Sequence, residues 1–250
     1  MTDQHVCTVP FRVRFDEAGP DGLVRTSTLL RYAQDLAAFH SAERGFDRAW
    51  YAERGLTWLA RAAAVAVLAP IVHGSTMTGS TRVVGERRVW ARRRTDFRDA
   101  AGVLVAWTHV DWVLLDARGA PTRIPPAFEA AFGTPKATFP LGRVDLADAP
   151  ETAAAVTFRV RPQELDPMDH ANNAVYADWL DEAVIEADDV AAVRAIPRLV
   201  RLEYARPAEP FAELAGVAWP SDGGWAYRLA EAGGTELLRA HLSPEVASAD

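Results

Sequence analysis

Cysteine is almost missing from this chain: Cys7 is the only one in 250 residues, so no internal disulfide can form and a cysteine metal site lacks ligands. Long apolar runs are missing too. The longest candidate, 59–72, is broken by Arg61 and Pro70 and is too short for a membrane span, so no membrane insertion is expected. The first residues carry neither a basic nor an apolar segment; no secretory signal is expected, and the expected location is cytoplasmic. An excess of basic charge is missing as well. Lys and Arg number 27 against 34 Asp and Glu, a net charge of -7, which weighs against a nucleic-acid partner. What is present is a 49% hydrophobic composition, which argues against disorder. A chain of this size buries about 70% of its surface, in one large core or two small ones. An enzyme, a binding module and a structural subunit all remain open.

An internal repeat decides between one core and two. Phe11-Arg-Val-Arg14 recurs as Phe158-Arg-Val-Arg161, an offset of 147, and at that offset Glu17 meets Glu164 and Pro20 meets Pro167. Each copy is followed by a helical pattern. In the first, Thr26 and Ser27 are cap candidates, Leu29, Leu30, Ala33, Leu36, Ala37 and His40 follow helical spacing, and Gly45 is the stop. In the second, Asn172 or Asn173 caps a helix with Val175, Tyr176, Trp179, Leu180 and Ala183 on one face and Asp181, Glu182 and Glu186 among its polar positions, ending within 186–189.

Strand patterns follow each helix: 58–68, 76–84, 87–97 and 103–115 in the first half, and 199–204, 211–219, 225–230 and 237–242 in the second. Turn signals lie at 116–119, 221–224 and 231–234. Each half therefore reads as α+β, one long helix covering the apolar face of an antiparallel sheet. The stretch 125–156, rich in proline and poor in periodicity, reads as the crossing. The expected division is 9–135, a linker over 136–154, and 155–245.

Asp166-Pro-Met-Asp-His170-Ala-Asn172-Asn173-Ala-Val-Tyr176 resembles the strand–loop–helix motif of hot-dog-fold thioesterases, Asp-x-x-Gly/Gln-His-Val-Asn-Asn-x-x-Tyr. Residues 11–40, 56–61 and 81–125, including Arg87-Arg88-Val-Trp90, 112–116 and 123–125, resemble the acyl-ACP thioesterase family. The similarity covers about residues 9 to 245. Its members are fused tandem hot dogs, so the resemblance implies two such domains, the first shaping an acyl pocket and the second carrying the catalytic groups. It implies hydrolysis of the thioester between a fatty acyl group and acyl carrier protein. Acyl-CoA hydrolysis and a noncatalytic acyl-binding accessory role are the alternatives, and a homodimer is left open. No cofactor or metal is required.

Thioester hydrolysis needs activated water near the carbonyl and donors where the oxyanion develops. Asp166, ahead of the second helix, can hold or deprotonate water, or serve only as a turn residue. At the repeat offset it meets Gly19, so the halves are unequal. His170 matches the family histidine and can orient water or polarise a carbonyl, or merely support Asn172. Asn172 and Asn173 cap the helix or brace the loop, and backbone N–H groups at the helix start are oxyanion candidates. Tyr176, Gln34, His40 and Trp58 are the expected pocket or supporting residues, although Gln34 and His40 also fit a satisfied core pair. Arg87, Arg88, Arg92 and Arg94, with Arg93 and Arg98, form a basic run that suits docking of an acidic carrier or a solvated strand face.

Two residues depart from the plant-type pattern. Met168 stands where those enzymes have asparagine, and Pro207 stands near the mapped glutamate. Asp169, in place of glycine or glutamine, can partly compensate. Glu203 and Glu209 are nearby but off the matched position. A simpler aspartate-centred mechanism, a rearranged network and a weakened enzyme all follow from these departures. Cys7, placed by the sequence before the first strand, is not expected to be a nucleophile.

Overall fold

The computed structural model describes residues 5–133 and 139–244. The first half runs β1 (Cys7–Arg12), α1 (Thr26–Glu43), α2 (Arg48–Glu53), β2 (Thr57–Val67), β3 (Thr76–Arg87), β4 (Trp90–Asp99), β5 (Leu104–Leu115) and α3 (Pro126–Phe132). The second runs β6 (Ala154–Arg159), α4 (Val175–Glu186), α5 (Val190–Arg194), β7 (Arg198–Tyr204), β8 (Glu213–Ser221), β9 (Gly224–Glu231) and β10 (Glu236–Ser243). All ten strands join one antiparallel sheet in the order β1-β3-β4-β5-β2-β7-β10-β9-β8-β6. Exchanging the two halves reverses that order and leaves it unchanged. The fold is two tandem hot dogs whose sheets meet at β2 and β7.

Helix α1 forms because 26–43 holds neither glycine nor proline and repeats apolar residues at helical spacing. Leu29, Ala33, Leu36 and His40 are buried along one side. Each fully buried leucine contributes about 2 kcal/mol. The helix ends at Arg44, and Gly45 takes the left-handed conformation at φ 85°. Gly79 on β3 lets α1 approach: a Cβ there would lie 2.7 Å from Leu36 and 2.9 Å from Phe11. In the second half a Cβ on Gly216 would lie 2.6 Å from the Tyr227 hydroxyl and 2.7 Å from Phe158. Gly79 pairs with Val9 across β1–β3 and Gly216 with Val156 across β6–β8, so they are equivalent positions.

The two halves repeat their local chemistry as well. Arg14 N–H donates to Glu17 Oε2 at 2.7 Å, and Arg161 N–H to Glu164 Oε2 at 2.7 Å. Where α1 meets α4, Arg31 and Asp178, equivalent at the 147 offset, form an ion pair at 3.0 Å. Arg198 of β7 donates to Thr26 Oγ1 at 3.2 Å, and Arg61, at a bulge in β2, donates to the Ala205 carbonyl at 2.6 Å.

Several local expectations are corrected. Thr26 and Ser27 lie inside the first turn of α1, whose cap position is Arg25. Cys7 opens β1 rather than preceding it. Arg87 closes β3, and Arg88-Val89 turns into β4, with Arg88 at φ 55°. The crossing contains α3, whose start has Pro at the first helical position and whose end is Gly133 at φ 56°. Part of the expected linker, 136–138, and residue 245 lie outside the described residues.

Candidate active site

An apolar cavity of about 790 Å³ lies in the first half, between α1, α2, α3 and the sheet. That volume falls within the roughly 300–1,000 Å³ of small-ligand pockets. Phe46, Trp58, Phe128 and Phe132 line it, and the aromatic rings pack on one another, Phe46 on Phe128 at 4.2 Å. Trp58 Nε1 donates to the Tyr51 hydroxyl at 3.0 Å. The second half contributes Asp166, Pro167 and Met168 to the wall, and α1 contributes Gln34. Cavity and motif therefore meet.

The motif loop is built by its own hydrogen bonds. Asp166 N–H donates to the His170 carbonyl at 2.9 Å, Asp169 N–H to the Asp166 carbonyl at 2.9 Å, and Met168 N–H to Asp166 Oδ1 at 2.8 Å. Asp169 is left-handed at φ 61°. The first half makes the same turn at the same offset: Gly19 N–H donates to Leu23 at 2.8 Å and Gly22, at φ 76°, donates to Gly19 at 2.9 Å. One scaffold is thus built twice: the second copy carries a carboxylate at Asp166 and an imidazole at His170, where the first has Gly19 and Leu23.

Asn172 ties this loop to both helices. Its Oδ1 accepts from Ala174 N–H at 2.9 Å, and its Nδ2 donates to Gln34 Oε1 at 3.3 Å. The cap position of α4 is Ala174, not Asn172 or Asn173 as expected, and Asn172 acts from two residues upstream of it. Asn172 O also accepts from Val175 N–H at 2.9 Å, so the Ala174 and Val175 amides at the helix start are engaged. Asn173 accepts from the Tyr204 hydroxyl at 3.0 Å through its carbonyl. Tyr176 is buried away from the cavity lining; its hydroxyl accepts from Ala208 N–H at 2.7 Å, and burial pushes the phenol up.

That bond, with Ala171 N–H donating to the Ala208 carbonyl at 3.1 Å, pins the β7–β8 loop beside the motif. Glu209 Oε1 consequently lies 3.9 Å from His170 Nε2. Glu203 points elsewhere and accepts from Val144 N–H at 2.9 Å. Neither expectation for these glutamates rested on a matched position, and the register of the loop separates them.

Gln34 and His40 are not a pair. His40 is buried; its Nδ1 lies 3.0 Å from Arg93 Nη1, its ring stands edge-on to Phe132, and its Nε2 has no partner among the described residues. Burial first, then Arg93 and Arg44, lower its pKa to about 4. Arginine can only donate, so Nδ1 accepts and the neutral ring carries its proton on Nε2.

The basic run is divided by the alternation of β4. Arg87 and Arg88 are exposed at the turn. Arg92 forks onto Asp111 at 2.6 and 2.7 Å and donates to the Pro140 carbonyl, while Arg94 pairs with Asp96 at 2.6 Å. Arg93 points the other way, into the cavity wall. Sequence reading had no place for Arg93 in the cavity, nor for Phe46, Phe128 and Phe132. Pro126, the Phe128 and Phe132 spacing and Gly133 together were the available signal for α3.

The sheet, the two covering helices and the shared cavity wall define a tandem hot-dog protein with a cavity of small-ligand size. Two family profiles match the chain: the acyl-ACP thioesterase N-terminal domain over residues 4–131 and the acyl-ACP thioesterase C-terminal domain over residues 147–217. The chain belongs to the acyl-ACP thioesterase family, thioester hydrolases whose substrate is fatty acyl-[acyl carrier protein]. No curated protein matches the sequence closely enough to count as a relative. Among solved structures it is similar to a Lactobacillus plantarum protein described as an oleoyl thioesterase, at TM-score 0.86 and 19% identity over 95% of this chain and 94% of that one. It is also similar to an acyl-ACP thioesterase from Bacteroides thetaiotaomicron (TM-score 0.80, 15% identity, 96% and 97% covered) and to the 12:0-ACP thioesterase from Umbellularia californica (TM-score 0.80, 23% identity, 96% of each covered).

Proposed function

We propose that Asp166 and His170 carry out hydrolysis of a fatty acyl-ACP thioester whose acyl chain lies in the cavity of the first half. The observation that carries this reading is that Asp166 and Met168 of the motif loop and Gln34 of α1 border the same cavity. The acyl chain enters the aromatic cavity and leaves its carbonyl beside the loop. Met168 N–H engages one oxygen of Asp166, and the other takes the proton of the attacking water. Gln34 uses its oxygen to accept from Asn172, which leaves its amide N–H groups for the developing oxyanion. When the tetrahedral intermediate collapses, the carbon–sulfur bond breaks and Asp166 passes the proton it took from water to the departing thiolate, while His170 orients the water. The products are the free acid and the thiol of the carrier. Asn172, Asn173 and Tyr176 hold the loop, and Trp58 shapes the cavity.

In this reading residues 9–135 form the acyl-binding domain, 136–154 the linker and 155–245 the catalytic domain. Arg87 and Arg88 are the docking cations left exposed, with Arg92 and Arg94 reinforcing the strand behind them. Among the described residues no helix is long and apolar enough to cross a membrane. The reading takes the enzyme as cytoplasmic, with the unpaired edges of β1 and β6 available to a second copy in a homodimer.

Thiol release from matched acyl-ACP and acyl-CoA over several chain lengths tests the reading. Release from acyl-ACP, falling about 10²–10⁴-fold in Asp166→Asn, is expected. Wild-type turnover in that variant would remove Asp166 as the base, and faster release from CoA at every length would reassign the carrier.

A further inference from the structure

A buried guanidinium in the wall of a mostly apolar cavity needs a reason. Arg93 is only 8% exposed and borders the cavity that also holds Phe128 and Phe132. Its hydrogen bond is to His40, a neutral ring, and its Cζ stands 5.5 Å from the Phe132 ring centre. Among the described residues no ion pair joins it to a carboxylate; Glu86 also borders the cavity. Desolvation lowers the pKa of Arg93 to about 10, with only Tyr51 and Cys7 opposing, so it remains a cation at neutral pH. Of the other arginines of β4, Arg92 pairs with Asp111 and Arg94 with Asp96, while Arg98 is exposed and donates to the Gly102 carbonyl at 3.0 Å.

An unbranched alkyl chain laid against this group would desolvate it further and offer no acceptor, which is unfavourable for a buried charge. Position along the helix says which part of a substrate meets it. Gln34, at the motif loop, and His40, at Arg93, are six residues apart on α1, about 9 Å along the axis. Arg93 therefore faces the chain several methylenes beyond the thioester. Tyr51, a second polar group on the wall, lies beside it.

We infer that the far part of the cavity is a subsite for an anionic oxygen group on the acyl chain, so that the enzyme accepts ω-carboxyacyl thioesters, the half-thioesters of dicarboxylic acids. The inference rests on the cavity being the acyl site, as proposed above. Arg93 supplies the charge-assisted hydrogen bond that the ω-carboxylate requires, and the carboxylate supplies the counter-ion that the protein leaves out. No covalent step is added to the hydrolysis.

Binding of free acids, measured by calorimetry, separates this subsite from catalysis. The probes are α,ω-dicarboxylates from octanedioate to hexadecanedioate, each against the monocarboxylate of equal length and its ω-hydroxy counterpart. At a length that reaches Arg93, the dicarboxylate should bind about tenfold or more tighter than the monocarboxylate, the size of one hydrogen bond to a charged group. Arg93→Met should erase that ratio, and Arg93→Lys should retain a preference for the dicarboxylate. Equal or weaker dicarboxylate binding by the wild-type protein at every length overturns the inference, even if the variants do not fold. So does a ratio that survives in Arg93→Met, or a greater gain from the hydroxyl than from the carboxylate. Tight dicarboxylate binding without any thioester turnover would instead overturn the hydrolytic reading and leave the subsite standing.

Discussion

Glu209 is separated from His170 by 3.9 Å, a gap that closes to a hydrogen bond with a small shift of either side chain. Catalytic hydrogen bonds are often long before substrate binds. A carboxylate at Nε2 favours the tautomer protonated there and leaves Nδ1 to accept, which makes Glu209 a positioning residue. Glu209→Gln should lower kcat about tenfold or more with KM little changed, and its cost should largely vanish in a His170→Ala background, as expected for coupled residues. Full additivity of the two changes would dissolve the pair. Asp181 supplies a different prediction. Burial, with Asp178 adding, raises its pKa from 3.8 to about 7 against the pull of Arg198 and Arg25. The unfolded chain releases this proton near pH 3.8 while the folded chain keeps it until about 7, so stability falls as pH rises through that window. Asp181→Asn should match wild type below the window and melt higher above it. Thermal midpoints across pH would check this; a variant less stable than wild type above pH 7 would contradict it.

At the level of elements, α1 fits closely on β3. Gly79→Ala places a methyl 2.7 Å from Leu36 and 2.9 Å from Phe11. It should cost about 1–3 kcal/mol in urea unfolding, the usual cost of overpacking; a neutral change would show that the helix can move away. The long elements were legible because their periodicity is strong: α1, α4 and the eight strands read from the sequence lie at nearly the expected residues. The repeat was legible only up to the helices. Gly79 and Gly216 are equivalent but 137 apart, ten short of the earlier offset, because the segments between differ in length. Short elements such as α2 and α5 escaped because one or two turns carry too little pattern. The candidate site was legible where one segment supplies it, as with Asp166 and His170. It was illegible where distant strands supply it: Arg93 in an arginine run gives no sign of its direction until the register of β4 is known.

On the scale of the whole molecule, the two domains share one sheet. Strands β2 and β7 pair over Ala62–Val67 and Arg198–Glu203, and α1 lies against α4. Separation would expose the inner edges of both sheets and the helix contact together. Denaturant unfolding should therefore be a single transition, with tryptophan fluorescence and far-ultraviolet circular dichroism coinciding. Two resolved transitions would show that the domains are independently stable. The Arg31–Asp178 pair carries a further consequence. A symmetric dimer of either half would bring a residue close to its own copy, arginine to arginine or aspartate to aspartate, and like charges repel. Opposite charges at one equivalent position can arise only when the copies differ. The chain is therefore not a dimer that happens to be tethered. Its halves have diverged where they touch, and a second copy of either in place of the other would set like charges together there.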